Sequence, residues 1–90
     1  MPTFRLHLIC PDHVEFEGDA ESAIVPGESG YIGILANHAP LLATLGDGKL
    51  TARTPRGRTM YYNVSGGGCL EVQRNNVVVL AGRIEARRAV

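Results

Sequence analysis

The chain contains no tryptophan, and three tyrosines and two phenylalanines are its only aromatic residues. That scarcity argues against a surface for stacking bases or sugar rings, because such platforms are built from aromatic faces. Nor does charge of either sign prevail. Nine Lys and Arg balance nine Asp and Glu, so no net field draws the chain to nucleic acid or anionic lipid. No apolar run approaches the roughly 18 residues that span a bilayer, and the N-terminus MPTFRLHLICPD lacks the apolar stretch of a secretory leader. A cytosolic protein is expected, with no membrane insertion. The match of Asn63-Val64-Ser65 to a glycosylation acceptor is then idle. Cysteine is nearly absent too: Cys10 and Cys69 are the only two, and in the cytosol they are expected reduced rather than bridged. Linkers, repeats and low-complexity tracts are missing, and ninety residues suffice for one domain with a modest core.

What is present is ordinary globular material, 44% apolar and 20% charged, cut into short segments by turn signals. Phe4, Leu6 and Leu8 alternate with Arg5 and His7, the pattern of a half-buried strand ended at Pro11. Val14 and Phe16 alternate with Glu15 and Glu17 before a turn expected at Gly18-Asp19. Ala23-Ile24-Val25 is expected to stop at Pro26-Gly27. Tyr31 to Leu35 and Leu41 to Leu45 are further strands, and Gly46-Asp47-Gly48 reads as a tight hairpin into Lys49 to Arg53. Thr59 to Val64, Cys69 to Gln73 and Val77 to Ala81 follow. Asn75-Asn76 is read as a hairpin turn, and Val77 to Ala81 as a central strand. Such spacing predicts an all-β sandwich or barrel. Only Arg83 to Val90 has helix-forming composition, too short to stand alone. The expected division is a β-sandwich over residues 1–82 and a short tail, the remnant or start of a helix, over 83–90.

Several groups look chemical. His7, Cys10 and His13 are spaced by three, but on a strand such positions point to opposite faces, so no metal site is expected. Ser65-Gly66-Gly67-Gly68 suggests a phosphate loop, yet it runs into a strand pattern rather than a helix. A turn or bulge is expected instead. A triad of His38 with Ser65 or Cys69 lacks any orienting motif. Arg53, Arg56 and Arg58 read as a solvated turn.

The stretch VPGESGYIGILANHAPLL, Val25 to Leu42, carries more. The order Gly18, Glu21, Val25-Pro26-Gly27, Gly30, Gly33-Ile34-Leu35 and His38-Ala39-Pro40-Leu41-Leu42, followed by Val64-Ser65-Gly66-Gly67, Leu70-Glu71-Val72 and Val79-Leu80-Ala81, resembles the epsilon subunit of rotary F-type ATP synthases. The likeness covers Phe4 to Ala81. It implies an antiparallel β-sandwich of about ten short strands, no active site and no cofactor. It also implies a place in the central stalk, between the gamma subunit and the ring of membrane c subunits, on the cytoplasmic face of a bacterial inner membrane or the equivalent organellar face. Carried over, the gamma-facing residues are His38, Ala39, Pro40, Leu41 and Leu42, with only one of the two leucines pointing inward. Those facing the c ring are Glu28, Ser29, Gly30 and Tyr31. The function implied is coupling of ion flow to ATP synthesis without catalysis in this chain. The alternative is a free-standing β-sandwich module for a small ligand or carbohydrate.

The sequence departs from the family pattern at a few places. Asn37 stands where the family usually has Gly and Ala36 where it usually has Pro; Gly68 looks like an inserted residue, consistent with a bulge; Tyr31 takes a place often held by a polar or acidic residue. Most members continue into two α-helices that can inhibit ATP hydrolysis. Eight residues from Arg83 at about 1.5 Å each reach only about 12 Å, so that inhibition is not expected of this chain.

Overall fold

The computed structural model describes residues 1–87. Alternation of apolar and polar residues yields eight strands: β1 (Phe4–Cys10), β2 (His13–Ala20), β3 (Ser22–Gly27), β4 (Gly30–Leu35), β5 (Leu41–Thr44), β6 (Gly48–Arg53), β7 (Thr59–Gln73) and β8 (Asn76–Arg87). They hydrogen-bond in the order β2-β1-β8-β7-β6-β3-β4, with β5 added to β7. The sheet is made into a sandwich by the two longest strands, each of which belongs to both layers. One half of β7, from Cys69 to Val72, pairs with β5, and the other half, from Thr59 to Val64, pairs with β6. Likewise β8 meets β1 only from Asn76 to Leu80. One layer is therefore β2-β1-β8-β7-β5, and the other β8-β7-β6-β3-β4.

The fold line is built of glycine. Register between β7 and β8 jumps from Ser65↔Arg83 to Gly68↔Ala81, a bulge that bends both strands. Gly66, Gly67 and Gly68 all have positive φ there. Between the layers lies a single core to which β1 gives Phe4, Leu6, Leu8 and Cys10, β7 gives Tyr62, Val64, Leu70 and Val72, and β8 gives Val77, Val79, Ala81 and Ile84. Each fully buried large side chain contributes about 1.5–3 kcal/mol, and among the described residues no polar or charged side chain is buried.

The architecture agrees with the sandwich read from the sequence, with corrections. Eight strands replace the expected ten or so, because β7 and β8 run through the bend without ending. One pair, β1 with β8, is parallel. Gly18-Asp19 and Pro26-Gly27 do not turn the chain. Both pairs lie inside strands, and the turn after β3 is Glu28-Ser29. Gly46-Asp47-Gly48 is not a hairpin either, since β5 and β6 do not pair; it crosses from one layer to the other. Neither glycine has positive φ. They are required by close approach, a Cβ on Gly46 falling 2.7 Å from Gly27 O and one on Gly48 falling 2.8 Å from the Tyr31 hydroxyl. The β7–β8 turn is Arg74-Asn75, one residue earlier than read. The helix-forming composition from Arg83 is overridden through Arg87 by pairing with β7; Arg88, Ala89 and Val90 lie outside the described residues.

Candidate functional site

Both edge strands on one side of the sandwich, β4 in one layer and β5 in the other, carry or adjoin all the residues assigned to partner contact. The turn Glu28-Ser29 joins β3 to β4, with Gly27 opposite Gly30 and Gly30 at φ 134°. This turn is stitched to the end of β5. Glu28 N donates to Thr44 O at 2.9 Å, and Gly46 N donates to Pro26 O at 3.0 Å. Glu28, Ser29, Gly30 and Tyr31 are all exposed. With Ile32, Ala43 and Thr44 they line an open hollow of about 290 Å³. Tyr31 is 62% exposed, yet its hydroxyl accepts a long hydrogen bond, 3.4 Å, from Lys49 N. The tip of this side chain is thus laid back on the start of β6, and much of the ring stays open to solvent.

At the far end of β4 the chain turns at Ala36-Asn37 to reach β5. Asn37 has φ 63°, a left-handed conformation in which Asn is one of the few tolerated non-glycine residues. That explains how Asn serves where Gly is usual in the resembled family. The turn is held by Asn75, whose Oδ1 accepts from Asn37 N at 2.8 Å and whose Nδ2 donates to Thr3 O at 2.8 Å. Asn75 itself has φ 62°. Asn75→Gly should therefore keep the backbone and lose both side-chain bonds, costing about 1–2 kcal/mol, whereas Asn37→Gly should change stability by a few tenths. Urea unfolding of the two variants checks this; equal midpoints would refute the clamp.

Beyond the turn, the His38 Nδ1–H donates to the Ala39 carbonyl at 2.7 Å. Among the described residues no hydrogen bond joins His38 to Ser65 or Cys69. Ala39 and Pro40 are exposed. Alternation then separates the leucines. Leu41 is half-buried and packs on the core, whereas Leu42 is 73% exposed. Pro40, Leu41 and Leu42, together with Glu71, Val72 and Gln73 of the paired β7, line an open hollow of about 280 Å³.

Leu42 also lies beside a mostly apolar outer row that the sequence reading missed. In register across the outer surface run Thr44, Cys69, Leu80, Ile9 and Val14, beside a second row of Leu42, Glu71, Val78, His7 and Glu17. The run Val77 to Ala81 is central, between β1 and β7, as its composition predicts; Val77, Val79 and Ala81 point inward while Leu80 is 43% exposed.

The histidine-cysteine spacing gives no metal centre. His7 bonds Glu17 Oε2 at 2.8 Å and Asn76 Oδ1 at 3.3 Å, while Cys10 is buried in the core. Among the described residues no cluster could hold a metal ion. His13 lies between Asp12 Oδ1 at 2.7 Å and Glu15 Oε1 at 3.0 Å. Hydrogen bonds from Asp12 first and Glu15 second raise its pKa, and the bond to His13 lowers that of Asp12. A raised histidine stabilises below its ordinary value and loses this as pH rises through the folded one; a lowered aspartate stabilises above its ordinary value and loses this as pH falls. The triplet should thus favour folding most between about pH 4 and 6.5. In a proton NMR titration Asp12→Asn should bring the His13 midpoint down, and an unmoved midpoint would refute the pairing.

A family model described as the ATP synthase Delta/Epsilon chain β-sandwich domain matches residues 3–87. A relative from Leptospira interrogans named ATP synthase epsilon chain is 40% identical over 76 residues, covering 84% of this chain and 58% of its own length. One of the same name from Dichelobacter nodosus is 38% identical over 86 residues, covering 96% of this chain and 58% of its own. The chain thus spans little more than half the length of these curated relatives. Among solved structures, a chain of the Euglena gracilis mitochondrial ATP synthase superposes with TM-score 0.87 at 21% identity, over 96% of this chain and 55% of that one. A chain from the central stalk and c ring of the Tetrahymena thermophila enzyme gives 0.74 at 15% identity, over 89% and 63%. At those identities the two superpositions speak to the fold.

Proposed function

This chain belongs to the ATP synthase delta/epsilon chain family through its β-sandwich domain, and from that premise we propose that it is a non-catalytic rotor element of an F-type ATP synthase. In this reading it couples the gamma subunit to the c ring on the cytoplasmic face of the membrane, so that ion flow drives ATP synthesis elsewhere in the complex. The observation that carries the reading is the shared side of the sandwich: the exposed turn Glu28–Tyr31 and the exposed Leu42 lie at opposite ends of β5, tied by the bond from Glu28 N to Thr44 O. A rigid block with one contact at each end of a short strand transmits torque without a hinge. The test is capture of the cognate gamma subunit by the purified chain. Failure to bind it at micromolar concentration would overturn the reading.

Tyr31 supports a second test. An aromatic ring without charge makes a contact that salt does not screen, unlike an exposed carboxylate pair, whose reach falls from about 10 Å at 0.1 M to about 3 Å at 1 M salt. Tyr31→Ala should loosen coupling of proton pumping to ATP hydrolysis in reconstituted enzyme, and Tyr31→Phe should cost less, losing only the long bond to Lys49 N. Normal coupling with Tyr31→Ala would refute a ring contact of any weight at this residue.

A further inference from the structure

The sandwich has four strand edges, and three of them are guarded. β2 carries Glu15, Glu17 and Asp19, the free end of β8 carries Arg83, Glu85 and Arg87, and β5 has only four residues, follows Pro40 and is bonded at Thr44 O by Glu28 N. Charge, proline and shortness are the devices by which proteins stop an edge from taking up another strand. The fourth edge is β4, Gly30-Tyr31-Ile32-Gly33-Ile34-Leu35, which among the described residues has β3 as its one neighbour and contains no charge, no proline and no bulge.

Its main chain is open in a definite register. Pro26 has no N–H, and its carbonyl accepts from Gly46 on the side away from β4, so Pro26 and Tyr31 face each other as a pair without mutual hydrogen bonds. Alternation along an antiparallel ladder then aims the N–H and C=O of Tyr31, Gly33 and Leu35 away from β3, toward the free edge. Beside this open ladder three apolar side chains are exposed: Tyr31 at 62%, Leu35 at 63% and Ile24 of β3 at 49%. The edge also starts at the turn Glu28–Tyr31 and ends three residues before His38, so it joins the two contact segments.

We propose that β4 takes up an extended, uncharged strand of the gamma subunit, continuing the β8-β7-β6-β3-β4 layer by main-chain hydrogen bonds. This rests on the proposed central-stalk reading and adds how the subunit is gripped. Backbone pairing fixes register along the whole edge, whereas the side chains of Leu35 and Ile24 select apolar residues at alternate positions of the incoming strand, and the Tyr31 side chain is left to the c ring. An uncharged strand is specified because a charge there would lie against this apolar row.

Hydrogen exchange followed by mass spectrometry tests it, using the 90-residue chain alone and with the cognate gamma subunit. The amides of Tyr31, Gly33 and Leu35 should exchange at least tenfold more slowly in the complex. Gly33 separates backbone from bulk, because a Cβ there meets nothing within 4 Å. Gly33→Ala should bind gamma as the parent does, and Gly33→Pro, which deletes a donor facing the free edge, should bind at least tenfold more weakly. If Gly33→Pro melts early, the exchange result on the parent chain decides. Bound gamma with unprotected β4 amides would overturn the strand addition and leave the central-stalk reading intact. No binding of gamma at all would overturn both. Protection that grows with the concentration of the chain alone, and not with gamma, would replace this proposal by pairing of two copies.

Discussion

Gly68→Ala should abolish the native fold. A Cβ at this position would overlap the Leu80 carbonyl oxygen and stand 2.8 Å from Ala81 Cα. Both obstacles are backbone of the paired strand and cannot rotate away as a side chain would. The residue also sits at φ 142°, a conformation that L-residues rarely adopt. Relieving the overlap means parting β7 from β8 where both strands bend, which removes the fixed bend that lets the two layers close on one core. A cost above about 4 kcal/mol is expected, comparable with the whole stability of a domain this size, about 5–13 kcal/mol. Gly67→Ala is the control. It has φ 77° but open space around its Cβ, so it should lose only about 1–2 kcal/mol to the left-handed conformation. Thermal unfolding by circular dichroism separates the two, and a Gly68→Ala protein melting within a few degrees of the parent would refute the bend as described.

The strands were legible because most of them present one face to a shared core, and period-two alternation survives in Phe4-Leu6-Leu8 and Tyr62-Val64. The bulge at Gly68 was legible as well, from one glycine too many. Non-local geometry was not. Whether Gly46 and Gly48 turn a hairpin or cross between layers depends on Gly27 O and the Tyr31 hydroxyl, atoms distant in sequence. The helical composition after Arg83 lost to another non-local effect: an open strand of β7, Tyr61 to Ser65, was available to pair with it. The residues assigned to partner contact come from the resemblance alone. Their gathering on one side came from the β4-to-β5 crossing and the Glu28–Thr44 bond, and the bare edge of β4 became visible only once the other three edges could be compared.

Exchanging either leucine of the pair Leu41-Leu42 for aspartate should give opposite failures. Leu41 is half-buried against the core, so Leu41→Asp forces a carboxylate onto apolar neighbours and should cost about 2–4 kcal/mol of stability. Leu42 is 73% exposed and stands opposite Glu71 on the neighbouring strand. Leu42→Asp there adds only like-charge repulsion across one pair, worth about 0.2–1 kcal/mol. Leu42→Lys, facing the same Glu71, should be neutral or slightly stabilising. If Leu42 is buried against the gamma subunit, either substitution forfeits about 1.5–3 kcal/mol of apolar burial, or roughly 10- to 150-fold in affinity. The loss should occur for both signs of charge, because what the partner meets is an apolar side chain. Titration of gamma against the three folded variants, with melting temperatures measured alongside, gives the answer. Parental affinity in both Leu42 variants would remove this residue from the interface, while loss with Asp and retention with Lys would make the contact electrostatic and refute the apolar docking argued for Leu42.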